Sequence, residues 1–120
     1  PIAGIIHRPF TGETAVGIPE MGIWPYKFTV SNVLRSKMKS KRLIICKYTH
    51  NDTTKSYIKT NCPKYDQLAL EGGCGNNVLL LMENEADAFL HPDAANTHKW
   101  HTCAIEAIIL ALGGDFTQTD

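Results

Sequence analysis

An excess of charge of either sign is missing from this 120-residue chain: twelve Lys and Arg stand against twelve Asp and Glu, giving a formal net charge of zero with His neutral. Such a chain has no global field to draw it to nucleic acid, a membrane surface or an acidic partner, so electrostatic recognition has to be local. Long apolar runs are missing too. None reaches the roughly 18 residues a membrane span needs, which excludes a membrane partner on this reading. No basic and apolar leader opens the chain, and Pro1 in the place of an initiator implies a processed or trimmed product. Standard zinc spacing is also lacking. There is no CxxC pair, and on a strand His98 and His101 would face opposite sides, so His91, His98, His101 and Cys103 form no expected metal set. Neither a metal nor another cofactor is expected. No repeat or low-complexity segment divides the chain, and its length suits one domain over residues 1–120.

What is present leans toward an oxidising compartment. Cys46, Cys62, Cys74 and Cys103 give an even count that allows three pairings, and Asn51-Asp52-Thr53 is a glycosylation sequon. Secretion is therefore the expectation, with Cys103 in a disulfide; four buried thiols are the alternative.

Taken in order, Ile2 to Ile6 reads as a strand closed by a turn, and Gly17 to Pro25 as an irregular connection. Ser31 can cap a short helix carrying Arg35, Lys37 and Lys39, with Lys41 and Arg42 completing the basic run. This is the chain's one charge cluster, and it can lie against phosphates or serve as a solvated helix face. Leu43 to Thr60 reads as a hairpin with Asn51-Asp52 at its tip, and Pro63 to Leu70 as a helical turn or two. From Pro92 to Leu112 two readings stand. One is a single helix, on the spacing of Ile105, Ile108, Ile109 and Leu112 with Gly113-Gly114 as its stop. The preferred one is a strand over Thr97–Cys103 followed by a helix, because Thr97, Trp100 and Thr102 favour strands. Residues from Asp115 on read as a frayed tail.

The most informative stretch is Asn76 to Cys103. Val78 to Met82 is a continuous apolar run, Glu83-Asn84-Glu85 a polar turn, and Ala88-Phe89-Leu90 a second apolar run ending at His91. His91, His98 and His101, three of the five histidines, fall within eleven residues. The order of strand, turn, strand-end His91, small-residue loop, Trp100 and Cys103 resembles the last strands of the guanyl-specific fungal ribonucleases. In that family the histidine is the general acid. Asn77 stands where those enzymes carry a phosphate-binding arginine, and no glutamate in a Tyr-Glu-aromatic-Pro setting precedes it, Glu71 having other surroundings. The pattern is therefore more similar to the ribonuclease-like secreted effectors of plant-pathogenic fungi, which keep the fold and dispense with catalysis.

That resemblance implies an α+β domain, one short helix packed on an antiparallel sheet built from hairpins at Leu43–Thr60 and Val78–His91 and a Thr97–Cys103 strand. It implies a virulence effector without efficient catalysis, secreted and delivered into host cells, whose partner is a host protein such as an immune receptor, or RNA. His91 is the catalytic candidate. Arg35, Lys37, Lys39, Lys41, Arg42 and Trp100 are the binding candidates, with Tyr26, Phe28 and Tyr48 flanking the basic run. The structural reading of His91 is a strand-end residue bonded to a loop carbonyl, and that of Trp100 is a core residue. Two other functions compete: an active ribonuclease using His91, and a tautomerase using the Pro1 amine, which the opening Pro1-Ile2-Ala3 and the strand resemble.

Overall fold

The computed structural model describes residues 1–25, 41–46, 51–70, 72–91 and 97–117. They contain β1 Gly4–Arg8, β2 Glu13–Ile18, β3 Gly22–Trp24, β4 Lys41–Cys46, α1 Asp52–Asn61, β5 Tyr65–Leu70, α2 Cys74–Met82, β6 Ala88–Leu90 and α3 Lys99–Ala111. The class is α+β, with one antiparallel sheet, β1-β2-β3, and one parallel sheet, β5-β4-β6.

The antiparallel sheet is two tight hairpins. Gly12, at φ +71°, closes the first, where the Gly12 N–H donates to the Arg8 carbonyl at 2.9 Å. Burial alternates along the strands, so Ala15 and Ile23 face inward while Ile5 and Thr14 face out.

In the parallel sheet, Leu43, Ile44 and Ile45 are all buried, as a strand covered on both faces requires. Leu43 and Ile45 pack with Ile58 of α1, joined by Ala88 and Leu90. Phe89, the register partner of Ile44, points the other way and packs with Val78, Met82, Ile105 and Ile108 of α2 and α3. The layers are therefore α1, parallel sheet, α2 with α3, and antiparallel sheet.

The last two layers meet backbone to backbone. Gly4 and Gly17 are direct partners across the β1–β2 ladder. A Cβ on Gly4 would stand 2.1 Å from the Ala104 carbonyl oxygen, and one on Gly17 2.7 Å from the Ile108 Cα, so glycine at both positions lets α3 cross the sheet. A second tie joins β1 to the end of α2. Both ends of the Arg8 guanidinium donate to the Glu83 carboxylate, one of them to Oε2 at 3.1 Å, and Arg8 also reaches Glu13 at 3.2 Å. The Glu83 bond is the main cause raising the Arg8 pKa, against a smaller lowering by burial.

Several expectations are corrected. Residues 43–60 are not a hairpin: β4 leads to helix α1, whose N-cap is Asn51, its side chain accepting from the Thr54 N–H at 2.9 Å. Residues 65–70 are a strand, and residues 17–25 contribute to β2 and β3 rather than an irregular connection. The 78–82 run belongs to helix α2, and residues 99–103 open helix α3, so the single-helix reading of that end is nearer, from Lys99. β6 is a strand as read, but it pairs parallel with β4. The ribonuclease-like sheet is thus absent among the described residues. The helix expected after Ser31 lies outside them. Cys103 is a free thiol, so the disulfide expected there is corrected as well.

Gly4→Ala or Gly17→Ala is expected to cost about 1–3 kcal/mol or more, because a backbone neighbour cannot move aside as a side chain can. Gly75→Ala is the control, since a Cβ there makes only ordinary contact, 3.6 Å from the Ile6 side chain. Thermal unfolding checks this: the first two midpoints should fall by at least several degrees and the third stay near wild type.

Candidate functional site

All three strands of a parallel sheet end at one edge. Here Cys46 pairs with Leu70 and Ile45 with Leu90, and beyond them the chain enters α1, α2 and α3 in turn. Because β4 is central, with β5 on one side and β6 on the other, the strand order reverses between β4 and β6. Open α/β sheets take ligands outside the carboxyl ends of their strands at such a switch point. His91 follows β6 directly onto this edge.

The three helix starts differ. At α1 the Asn51 cap occupies one first-turn amide and Asp52 adds a negative charge, which disfavours an anion. At α2 the N-cap is Gly73, which has no side chain to cap the first turn, and no acidic residue lies in that turn. The first bond of α2 runs from the Asn77 N–H to the Gly73 carbonyl at 3.2 Å, so the amides of Cys74, Gly75 and Asn76 precede the intrahelical ladder. Gly72, at φ +128°, and Gly73 add no side chains of their own to this approach, and the Asn76 side chain lies beside it, with Nδ2 3.5 Å from where a Gly72 Cβ would stand. Exposed amides at the positive end of a helix suit phosphate or carboxylate.

The start of α3 is occupied by its own side chains. The His98 backbone N–H donates to His101 Nδ1 at 3.1 Å, and the Trp100 indole N–H lies 3.1 Å from His101 Nε2. The His98 and Trp100 rings stand 4.2 Å apart, tilted by 35°. A neutral imidazole has one acceptor nitrogen, so His101 can satisfy only one of these two donors at a time.

The residues singled out in the sequence are dispersed. His91 is half-buried beside Phe89, and its Nδ1 is buried without a hydrogen-bond partner among the described residues. Trp100 lies on a helix, 75% exposed, rather than in a strand core. Arg35, Lys37 and Lys39, like Tyr26, Phe28 and Tyr48, lie outside the described residues. Lys41 and Arg42 open β4, at the amino edge of the sheet, opposite the strand ends that lead to His91 and Trp100. There the Arg42 N–H donates to Asp87 at 2.7 Å, its guanidinium lies 3.9 Å from Glu85, and Lys41 lies 5.9 Å from the Tyr65 ring centre. Asn77, placed by the resemblance where an arginine would hold phosphate, is fully buried in α2 with neither amide atom partnered among the described residues. The sequence reading missed the 72–76 segment as a site, treating its glycines only as a break. The available signal was a glycine run feeding an apolar segment of helix length.

A parallel sheet with a switch-point edge is an arrangement at which α/β proteins commonly take ligands, and comparison with known proteins gives the family. A model of the inositol monophosphatase family matches residues 1–120. Inositol monophosphatase 3 of Danio rerio is 30% identical over 125 residues, which span 98% of this chain and 34% of that protein. Putative inositol monophosphatase 3 of Drosophila melanogaster is 32% identical over 119 residues, with 98% and 32% covered. The 3'(2'),5'-bisphosphate nucleotidase 1 of Rattus norvegicus is 28% identical over 130 residues, with 98% and 39% covered. No solved structure matches significantly. The chain spans about a third of the length of these relatives, and it belongs to the inositol monophosphatase family.

Membership overturns the fungal effector reading, with its virulence role and its ribonuclease resemblance. The leaning away from an enzyme falls too, since the relatives are named as phosphatases and nucleotidases. The competing ribonuclease and tautomerase readings fall with it.

Two substitutions test the local geometry. His101→Glu places an acceptor-only carboxylate at the third helical position, where a capping box normally carries one, and should stabilise α3 by about 0.5–1.5 kcal/mol. Denaturant unfolding measures it; a loss of stability would contradict the double-donor reading. Asn77→Ala should cost little, whereas a cost of about 1–3 kcal/mol in the same assay would reveal a partner for the buried amide.

Proposed function

We propose that this chain forms the phosphate-ester-binding part of a phosphatase, with the uncapped start of α2 receiving the anion at the carboxyl edge of the parallel sheet. One observation carries this reading: Gly73 opens α2 without a side-chain cap, leaving first-turn amides outside the helix ladder at the edge where such sheets bind ligands. The names of the relatives support a phosphorylated small molecule as the substrate, an inositol monophosphate or a nucleotide bisphosphate.

Family membership also supports a metal-dependent enzyme, which corrects the expectation of no metal. Among the described residues no group of three or more His, Cys, Asp or Glu is placed to hold a metal ion. The described residues therefore do not fit a metal centre by themselves, and their part is to bind and orient the ester. Backbone amides suit that part because they are fixed by the helix and cannot be deprotonated at neutral pH. Hydrogen bonds from a preorganised helix start to phosphate oxygens cost no rearrangement when charge shifts during the reaction. No helix of the described residues is long and apolar enough to cross a membrane.

Titrating the 120-residue chain with inorganic phosphate, read by amide NMR shifts, tests the proposal. The largest saturable shifts are expected at Gly73, Cys74, Gly75 and Asn76. Shifts confined to Lys41 and Arg42, or no saturable response, would overturn it.

A further inference from the structure

The chemistry at the start of α3 is unused by phosphate binding at α2. Its side chains form an aromatic cluster in which the Trp100 ring is tilted 35° from His98 and stands edge-on to His101 at 62°. Trp100 remains 75% exposed although one ring face meets His98 at a centroid distance of 4.2 Å. The indole N–H points at His101 Nε2 and the His98 backbone N–H at His101 Nδ1, so in either tautomer one of these two bonds ties His101 into the cluster. The His98 and His101 rings are nearly parallel, 28° apart, with centroids 5.8 Å apart. An indole this exposed contributes little to the core, and with one side against the His98 ring it presents an aromatic face to solvent.

Connectivity puts this face with the phosphate edge. α3 follows β6 and α2 follows β5, and the two strands end together on the two sides of β4. The two helices also pack on each other through the core of Val78, Leu79, Met82, Ile105 and Ile108.

We infer that the Trp100–His98 stack is a platform for the base of a nucleotide whose phosphate is taken at α2, which makes Trp100 a specificity-determining residue. This rests on the proposed phosphate site and deepens it. Among the substrates that the relatives' names supply, only a nucleotide has a planar aromatic ring; an inositol phosphate presents a saturated ring with hydroxyl groups. Every base has a π face, so an exposed indole and imidazole bind it by stacking without reading its edges. Alanine substitution of a stacking residue typically loses about 1–3 kcal/mol per base, or roughly 5- to 150-fold in affinity.

Calorimetric titration with AMP and with ribose 5-phosphate, which shares the phosphate and lacks the base, tests the platform. AMP is expected to bind at least about fivefold more tightly than ribose 5-phosphate to the wild-type chain. Trp100→Ala should remove that difference while leaving ribose 5-phosphate affinity unchanged, and Trp100→Phe should restore most of it. Circular dichroism confirms that each variant folds. Equal binding of the two ligands to wild type, or a Trp100→Ala loss equal for both, overturns the platform and leaves the phosphate site standing. Failure of both ligands to bind overturns the phosphate site and the platform together.

Discussion

Contact between backbones, with no side chain in between, is the constraint from which the arrangement of this chain follows. Gly4 and Gly17, opposed across the β1–β2 ladder, let α3 lie against the strands at Ala104 and Ile108. Once α3 is seated there, Ile105 and Ile108 face α2 and close the core with Val78, Leu79 and Met82. The Arg8–Glu83 pair then ties the end of α2 to the same strand. Close packing of this kind tolerates few alternatives, because interiors are as dense as organic crystals. The outcome for function is that α2 and α3 are fixed by one another and by one sheet.

That rigidity serves the opposite side of the helical layer. Three parallel strands release the chain at a common edge, and each release is followed by a helix. The edge therefore combines helix dipoles with backbone amides without needing a cationic side chain, which accords with a chain of zero formal net charge. The cations Lys41 and Arg42 stand at the other end of β4, where Arg42 is engaged by Asp87 and Glu85. Charge in the sequence and anion affinity in the fold are thus separated in space.

The sequence showed some of this and hid the rest for identifiable reasons. The first strand, the Ala88–Leu90 strand and the helical spacing of Ile105, Ile108, Ile109 and Leu112 were legible. Val78 to Met82 was read as a strand because periodicity cannot separate a short buried helix from a buried strand; the glycines before it were the better guide. Asn51 was read as a hairpin tip because Asn serves turns and N-caps equally well. Leu43-Ile44-Ile45 carried a signal that was passed over, since a continuous apolar run means burial on both faces and favours a parallel strand. At Trp100 local strand propensity lost to the packing of α3. The functional edge was the least legible part, because main-chain amides have no letter in a sequence.

The central claim, an anion site made of backbone at the start of α2, is tested most directly by diffraction. Crystals of the chain soaked in tungstate, a heavy tetrahedral oxyanion, should show their strongest anomalous peak within hydrogen-bond distance of the Cys74, Gly75 and Asn76 amides. A strongest peak at the amino edge of the sheet, beside Lys41 and Arg42, would contradict the account.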